Sequence, residues 1–262
     1  METSVPPMIV IPVRLRGAEE LDGLLRCLVA TWSTIEDVDV LVVDDHGPAE
    51  LAGHLAAAAS ELGFELLRRR EPGGLAAAAN EGLSRALAAG RDAVLLGADV
   101  EPQPGWLELL LGRTDTEDRP AAVAGGRILL PSGLLAHAGM YFSAFRREWF
   151  HRYRFGPSEL PAALLPCLCP VSGAMALIRH EAAQHVGLLD ESLDDDYAVL
   201  DYCLRVFGAG LECVYEPSAV GRRVHEPREY ERDELIELQD IATRFRDKHR
   251  GSDFSLFVPE VL

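Results

Sequence analysis

The sequence predicts an α/β fold, a mostly parallel sheet covered by helices, on three observations. Short β-rich apolar runs alternate with segments of helical periodicity, several of those runs stop at acidic residues, and no internal repeat or low-complexity linker breaks the alternation. With 262 residues, 48% of them hydrophobic and 26% charged, the chain has the size of one globular domain with a sizeable core.

MIVIPV (8–13) reads as a buried strand, after which Leu21, Leu24, Leu25, Leu28, Val29 and Trp32 recur at helical spacing. VDVLVVDD is a second strand, 48–62 a helix, FELLRR a strand, 75–89 an alanine-rich helix and DAVLLGAD another strand. Beyond Pro104 the pattern loosens. A helix at 105–111 and a strand at AAVAGGRILL precede an irregular basic-aromatic stretch, FRREWFHRYRF, at 145–155. Order returns over 171–178, with a short helix from His180, a stronger helix over 197–207 ending at Gly208 and Gly210, and a strand LECVYEP. The remainder reads as one long amphipathic helix and a short tail, so the expected organisation is a main domain over 1–225 and a C-terminal appendage over 226–262. The Leu235, Ile236, Leu238 and Ile241 cluster could dock on the parent domain or on a second copy, forming a homodimer.

The formal charge of −17 repels polyanions, and no nucleic-acid partner is expected. Lys248 is the sole lysine, which sets aside Schiff-base chemistry and leaves arginine or a divalent metal to neutralise any diphosphate. Five cysteines, mostly in apolar segments, fit a reduced compartment. The N-terminal stretch has no basic region before its apolar run, and no run approaches the ~20 residues of a membrane span. The expectation is a cytoplasmic protein without a transmembrane segment.

In an open parallel sheet, ligands bind outside the carboxyl ends of the strands, so acids that end apolar runs are the first candidates. VLVVDDHG stops at Asp44 and Asp45, AVLLGADVE stops at Asp99 and Glu101, and the last strand leads to His225. Hard cations want carboxylate oxygens, and Asp99, Glu101 and His225 could supply a set for Mg²⁺ or Mn²⁺. Each aspartate is equally suited to a turn or N-cap, and a histidine taken alone beside Arg222 and Arg223 is better read as a solvated surface residue than as a ligand. Only their joint order discriminates.

That order resembles the family 2 glycosyltransferases from about Met8 to His225. The similarity lies in VVDDHG, EPGGLAAAANEGL (71–83), LLGADVEPQPGWLELLL (95–111), HAGMYF (137–142), SGAMALIRHEAAQHVGLLDESL (172–193) and LDYCLRVFGAGLECVYEPSAVGRRVHE. The resemblance implies a Rossmann-like GT-A fold and a metal-dependent, inverting transfer of a hexosyl or deoxyhexosyl group. The donor would be a nucleotide-diphosphate sugar, and the acceptor a glycan, a lipid-linked molecule or a small molecule, in the last-but-one case with peripheral membrane association. It further implies that Pro12, Asp44, Asp45, Asn80, Gly82 and Asp99 bind the nucleotide sugar. Asp99, Glu101 and His225 would hold a divalent metal, and Gly173, Ala174 and Arg152 would border the acceptor.

One departure stands out. Aligning on Asp201 and Arg205 places Val199 where the family carries its general base, and valine takes no proton. Asp196, three residues earlier and on nearly the same helical face, is the substitute candidate, flanked by Asp194 and Asp195. Asp201 would support the active-site helix. The alternatives are a non-catalytic nucleotide-sugar or glycan-binding subunit and a sugar nucleotidyltransferase, the latter disfavoured because PVRLRGAEE offers one glycine for a phosphate cradle.

Overall fold

The computed structural model describes residues 5–115, 120–194, 196–228 and 231–259. In chain order these form β1 (Met8–Val13), α1 (Ala18–Thr34), β2 (Asp39–Asp44), α2 (Ala49–Leu62), β3 (Glu65–Arg68), α3 (Leu75–Ala88) and β4 (Ala93–Leu96). β5 (Val100–Pro102), α4 (Trp106–Thr114), β6 (Val123–Leu129), β7 (Leu135–His137), β8 (Met140–Ser143), β9 (Glu148–His151) and β10 (Cys167–Leu168) follow. The last elements are β11 (Met175–Ile178), α5 (His180–Val186), α6 (Asp196–Gly208), β12 (Cys213–Arg223) and α7 (Arg232–Lys248).

The main sheet runs β10-β12-β6-β11-β4-β1-β2-β3, with β5 on β12 and β7 on β6. Pairing is parallel through β4-β1-β2-β3 and between β6 and β12, while β11 runs against both neighbours. Alternation along the central strands buries both faces. Ile9, Ile11, Val40, Val42, Val94 and Leu96 join α1, α2 and α4, whereas Val10, Leu41, Val43 and Leu95 join α3, α5, α6 and α7.

Two local features open the sheet where a ligand would sit. β1 follows β2 through Asp44 but follows β4 only through Val10, and Pro12, which has no N–H for a ladder, stands where β1 and β4 part. That parting is also the topological switch, because the chain moves outward from β1 to β3 and then returns to β4 on the other side. α3 begins with a run of small alanines and approaches β1 closely; a Cβ at Gly82 would stand 2.2 Å from Val10 Cγ1. Gly82→Ala should therefore cost about 1–3 kcal/mol by overpacking, readable by denaturant titration.

Two expectations change. The stretch over 145–155 is not irregular throughout, because Glu148–His151 pairs with Met140–Ser143 as a hairpin. Nor is the C-terminal segment an appendage. Ile241 and Phe245 of α7 are buried in the main core, and Phe254 and Phe257 pack on Trp149 with ring centroids 5.2 and 5.3 Å apart. The hairpin presents those aromatics as the tail's docking surface, a contact that local periodicity does not encode. Leu238 and Ile241 turn towards the body of the protein, while Leu235 and Ile236 are about half exposed. Among the described residues no helix is long and apolar enough to cross a membrane.

Candidate active site

A cleft of about 520 Å³ lies outside the carboxyl ends of β1 and β4. Pro12 and Val13 form one wall and Gly97, Ala98 and Asp99 the other; Ser172, Gly173 and Ala174 floor it, and the N-terminal turn of α6 closes one end. Glu234, Glu237, Leu238 and Ile241 of α7 also line the cleft.

At one end the β4–β5 turn carries Asp99, whose backbone oxygen accepts the Val224 N–H at 2.7 Å and so ties the turn to the end of β12. Arg223 Nη1 donates to both carboxylate oxygens of Asp99, at 2.9 and 2.8 Å. His225 directs Nδ1 towards Glu19 at 3.6 Å, while its Nε2 is buried and has no hydrogen-bond partner. Both groups crowd Gly23 of α1, where a Cβ would stand 3.4 Å from His225 Nε2 and 3.6 Å from Asp99 Cβ. Glu101 does not join them. Arg26 of α1 holds its Oε1 at 2.9 and 2.8 Å on the outer side of that helix. Among the described residues there is accordingly no cluster of three or more metal-ligating side chains. Asp99 with the orphaned Nε2 nonetheless fits one divalent cation whose other positions come from a diphosphate.

Asp44 and Asp45 are buried at the end of β2 and are held by the protein itself. Asp44 accepts Gly47 N–H and Arg68 Nη1, each at 2.9 Å. Asp45 accepts the N–H groups of Gly73 and Gly74 at 2.8 Å and Arg69 Nη1 at 2.6 Å, with Arg14 Nε at 3.2 Å. The sequence reading leaves these oxygens free for a nucleoside; three arginines and three backbone donors instead engage all four. Asn80 is likewise turned inward. Its amide nitrogen donates to Leu189 O at 3.0 Å and to Glu191 at 2.8 Å, and its oxygen accepts Leu189 N–H at 2.9 Å, clamping the 187–193 loop to α3. Gly82 faces Val10 rather than the cleft.

At the other end, a Cβ on Gly173 would stand 2.8 Å from Val199 Cγ2, so the valine packs against that glycine at the cleft's edge. Asp196 opens into the same space from the first turn of α6. Its Oδ1 accepts the Ser172 hydroxyl at 2.9 Å and its Oδ2 lies 3.1 Å from His151 Nε2. Burial disfavours its charge, but His151, Arg223 and the Ser172 hydroxyl outweigh burial and hold the carboxyl well below the usual carboxylate range. Asp194 lies close by and accepts the Ala76 N–H at 3.0 Å, capping α3, while Asp195 is outside the described residues.

Arg152 turns away from the cleft, towards the Cys167 thiol and the Tyr153 hydroxyl, and Arg154 lines the cleft instead. Asp201 is fully buried and outside the cleft, bound to Arg205 at 2.9 Å, Lys248 at 2.8 Å and His249 at 2.9 Å. It anchors the end of α7. Near the start of α7, Glu234 binds Arg16 and Arg228. Sequence reasoning missed His137 and Arg223 as cleft residues, and it reached Ser172 and His151 only as members of the small-residue and basic-aromatic stretches, without the contact each makes to Asp196. HAGMYF, the basic-aromatic stretch and the Arg223-Val224-His225 run contain or adjoin them, but no spacing signals that they converge.

Residues 8–187 match the profile described as Glycosyl transferase family 2. The chain is 32% identical over 221 residues to the pre-mycofactocin glycosyltransferase of two strains of Mycobacterium tuberculosis; the match covers 83% of this chain and 42% of those proteins. The chain thus spans less than half the length of these relatives. Among solved structures, one titled "Crystal structure of GalNAc-T7 with UDP, GalNAc and Mn2+" superposes with a TM-score of 0.70 at 15% identity, over all of this chain and 57% of that one. The likeness is one of fold, the GT-A arrangement of sheet and helices.

Proposed function

The chain belongs to glycosyl transferase family 2, and from that premise we propose that it moves a sugar from a nucleotide-diphosphate donor to an acceptor hydroxyl inside the β1–β4 cleft. The observation that carries this reading is one cavity with two chemically distinct ends, Asp99, Arg223 and His225 at one and Asp196 with Ser172 at the other. The first end suits a diphosphate. Asp99 and His225 Nε2 would hold a divalent cation, which when bound stabilises the charge of the leaving nucleoside diphosphate. Arg223 already brings positive charge there and lies within electrostatic reach of Asp196. Asp44 and Asp45 serve the nucleoside through the loops they hold, since Gly73 and Gly74 lead directly into α3.

The second end suits the acceptor. Asp196 has carboxylate surface facing the cleft, and a general base must come within hydrogen-bond reach of the hydroxyl it deprotonates. Proton removal at Asp196 with departure of the diphosphate from the opposite end describes direct displacement, hence inversion at the anomeric carbon. Small residues at 173 and 174 leave room for the incoming sugar or acceptor. The acceptor belongs to the hydroxyl-bearing class of glycans, lipid-linked molecules or small molecules, the last including the kind after which the mycobacterial relative is named.

Calorimetric titration of UDP, GDP, dTDP and CDP, with and without Mn²⁺, tests the donor end. One diphosphate is expected to bind in a metal-dependent manner, and Asp99→Ala should weaken it at least tenfold. Absence of binding under every metal condition would overturn the reading. A second reading, a nucleotide-sugar-binding subunit without turnover, is favoured by Val199 packed where the family has its base. It predicts that Asp196→Ala loses nothing measurable.

A further inference from the structure

A chain of hydrogen bonds runs from Asp196 into the protein, and backbone donors set the position of every proton along it. The N–H groups of Gly139 and Ser172 both point at His137 Nε2, each at 3.2 Å. A nitrogen that accepts two N–H groups carries no proton of its own, so His137 bears its proton on Nδ1. That Nδ1 is 2.8 Å from His151 Nδ1, which must therefore accept. The His151 proton then sits on Nε2, 3.1 Å from Asp196 Oδ2. Ser172 closes the array: its hydroxyl donates to Asp196 Oδ1 at 2.9 Å while its oxygen accepts the Ala174 N–H at 3.2 Å.

The arrangement restricts charge as well as orientation. Were His151 to become an imidazolium, two N–H groups would face each other across 2.8 Å at the His137 contact. His137 cannot relieve the conflict by taking up the proton, because burial, together with the neighbouring His151 ring, pushes its pKa well below the ordinary value. The other charged groups near the pair are Arg223 from β12 and Arg154 beyond β9, both of which disfavour a further positive charge. Among the described residues Asp196 is the one anion bonded to His151, and it already receives the Nε2 proton.

We propose that His137 and His151 are positioning residues that hold a neutral Nε2–H donor against Asp196, so that the carboxylate is aimed at the acceptor without being paired to an imidazolium. This deepens the reading of Asp196 as base and rests on it. The buried histidine keeps that donor neutral, so His151 orients Asp196 without adding to the positive charge that Arg223 already brings near it. Neither histidine needs to touch the substrate.

The test needs no acceptor. Long-range ¹H–¹⁵N spectra of the full chain should show His137 as the Nδ1–H tautomer and His151 as the Nε2–H tautomer, with His137 staying neutral below the ordinary imidazole range. In His137→Leu the Nδ1 contact is gone, and His151 should no longer be held to the Nε2–H tautomer. His137→Gln, which can offer one amide donor and one acceptor, should restore the Nε2–H tautomer of His151 and keeps the test open if the leucine variant folds poorly. A His151 that carries a proton on Nδ1 in the unaltered protein overturns the proposal. These outcomes are independent of turnover. If Asp196→Asn transfers sugar normally, the base assignment fails while the tautomers stand; if the tautomers are wrong, the base assignment is untouched.

Discussion

Replacing Asp196 by asparagine is expected to lower kcat by about 10²–10⁴-fold while leaving nucleotide affinity within about twofold of the original, because a general base contributes to the chemical step and not to donor binding. Asparagine keeps one acceptor oxygen for the His151 Nε2–H and turns its amide N–H towards the Ser172 oxygen, which can accept, so the side chain keeps its place while proton removal is lost. The carboxyl is held well below its usual range by groups that outweigh its burial, so its ionisation should contribute no acid limb to the rate between pH 5 and 8. Donor titration and transfer assays on one preparation separate the two effects. Unchanged transfer in Asp196→Asn would return the base role to another group and favour the reading of a binding subunit.

The second large effect is expected at Asp201 and concerns stability. Its buried carboxylate is shared by Arg205, Lys248 and His249, and Lys248 also reaches Asp190 at 2.5 Å. Asp201→Ala removes the acceptor that those three side chains share, a change expected to cost about 1.5–3 kcal/mol. Denaturant titration should register it, and α7 should become the first site of limited proteolysis, since Asp201 joins its last turn to α6. The pH dependence has a definite sign. Burial raises the pKa of Asp201, but the bonds from His249, Lys248 and Arg205 win and place it at about 2. A depressed folded-state value stabilises the protein above the unfolded value of about 3.9 and ceases to do so as pH falls through about 2. The unaltered protein should therefore lose on the order of 2 kcal/mol across that acid window, a loss absent from Asp201→Ala. Equal acid sensitivity in both proteins would refute the anchoring role.

The two aspartates show how differently the sequence speaks about fold and about site. Apolar runs such as MIVIPV and VLVV are separated by helical periodicities, and that alternation alone determines a sheet buried on both faces with its loops at the strand ends. The position of the cleft follows, because Pro12 and the strand-end acids lie at the switch between β1 and β4. Periodicity reports which side of an element avoids water, a property each segment carries locally. It does not report hydrogen-bond partners.

Those partners come from residues far apart in the chain, and tertiary structure alone decided which acids are available. Asp45 has the motif of a ligand residue, yet Arg14, Arg69 and the Gly73–Gly74 turn engage it. Glu101 stands two residues from Asp99 and is drawn off by Arg26 on the neighbouring helix. Asp196 remains open to the cleft because what approaches it is a serine hydroxyl and a histidine from β9, 24 and 45 residues away in sequence. The C-terminal helix looked separate because its apolar stripe is narrow, and it became part of the domain because Asp201 and the Trp149 surface were waiting for Lys248 and Phe254. Local sequence sets where chain segments bury themselves; the competition among charged side chains for a few carboxylates is settled only when those segments meet.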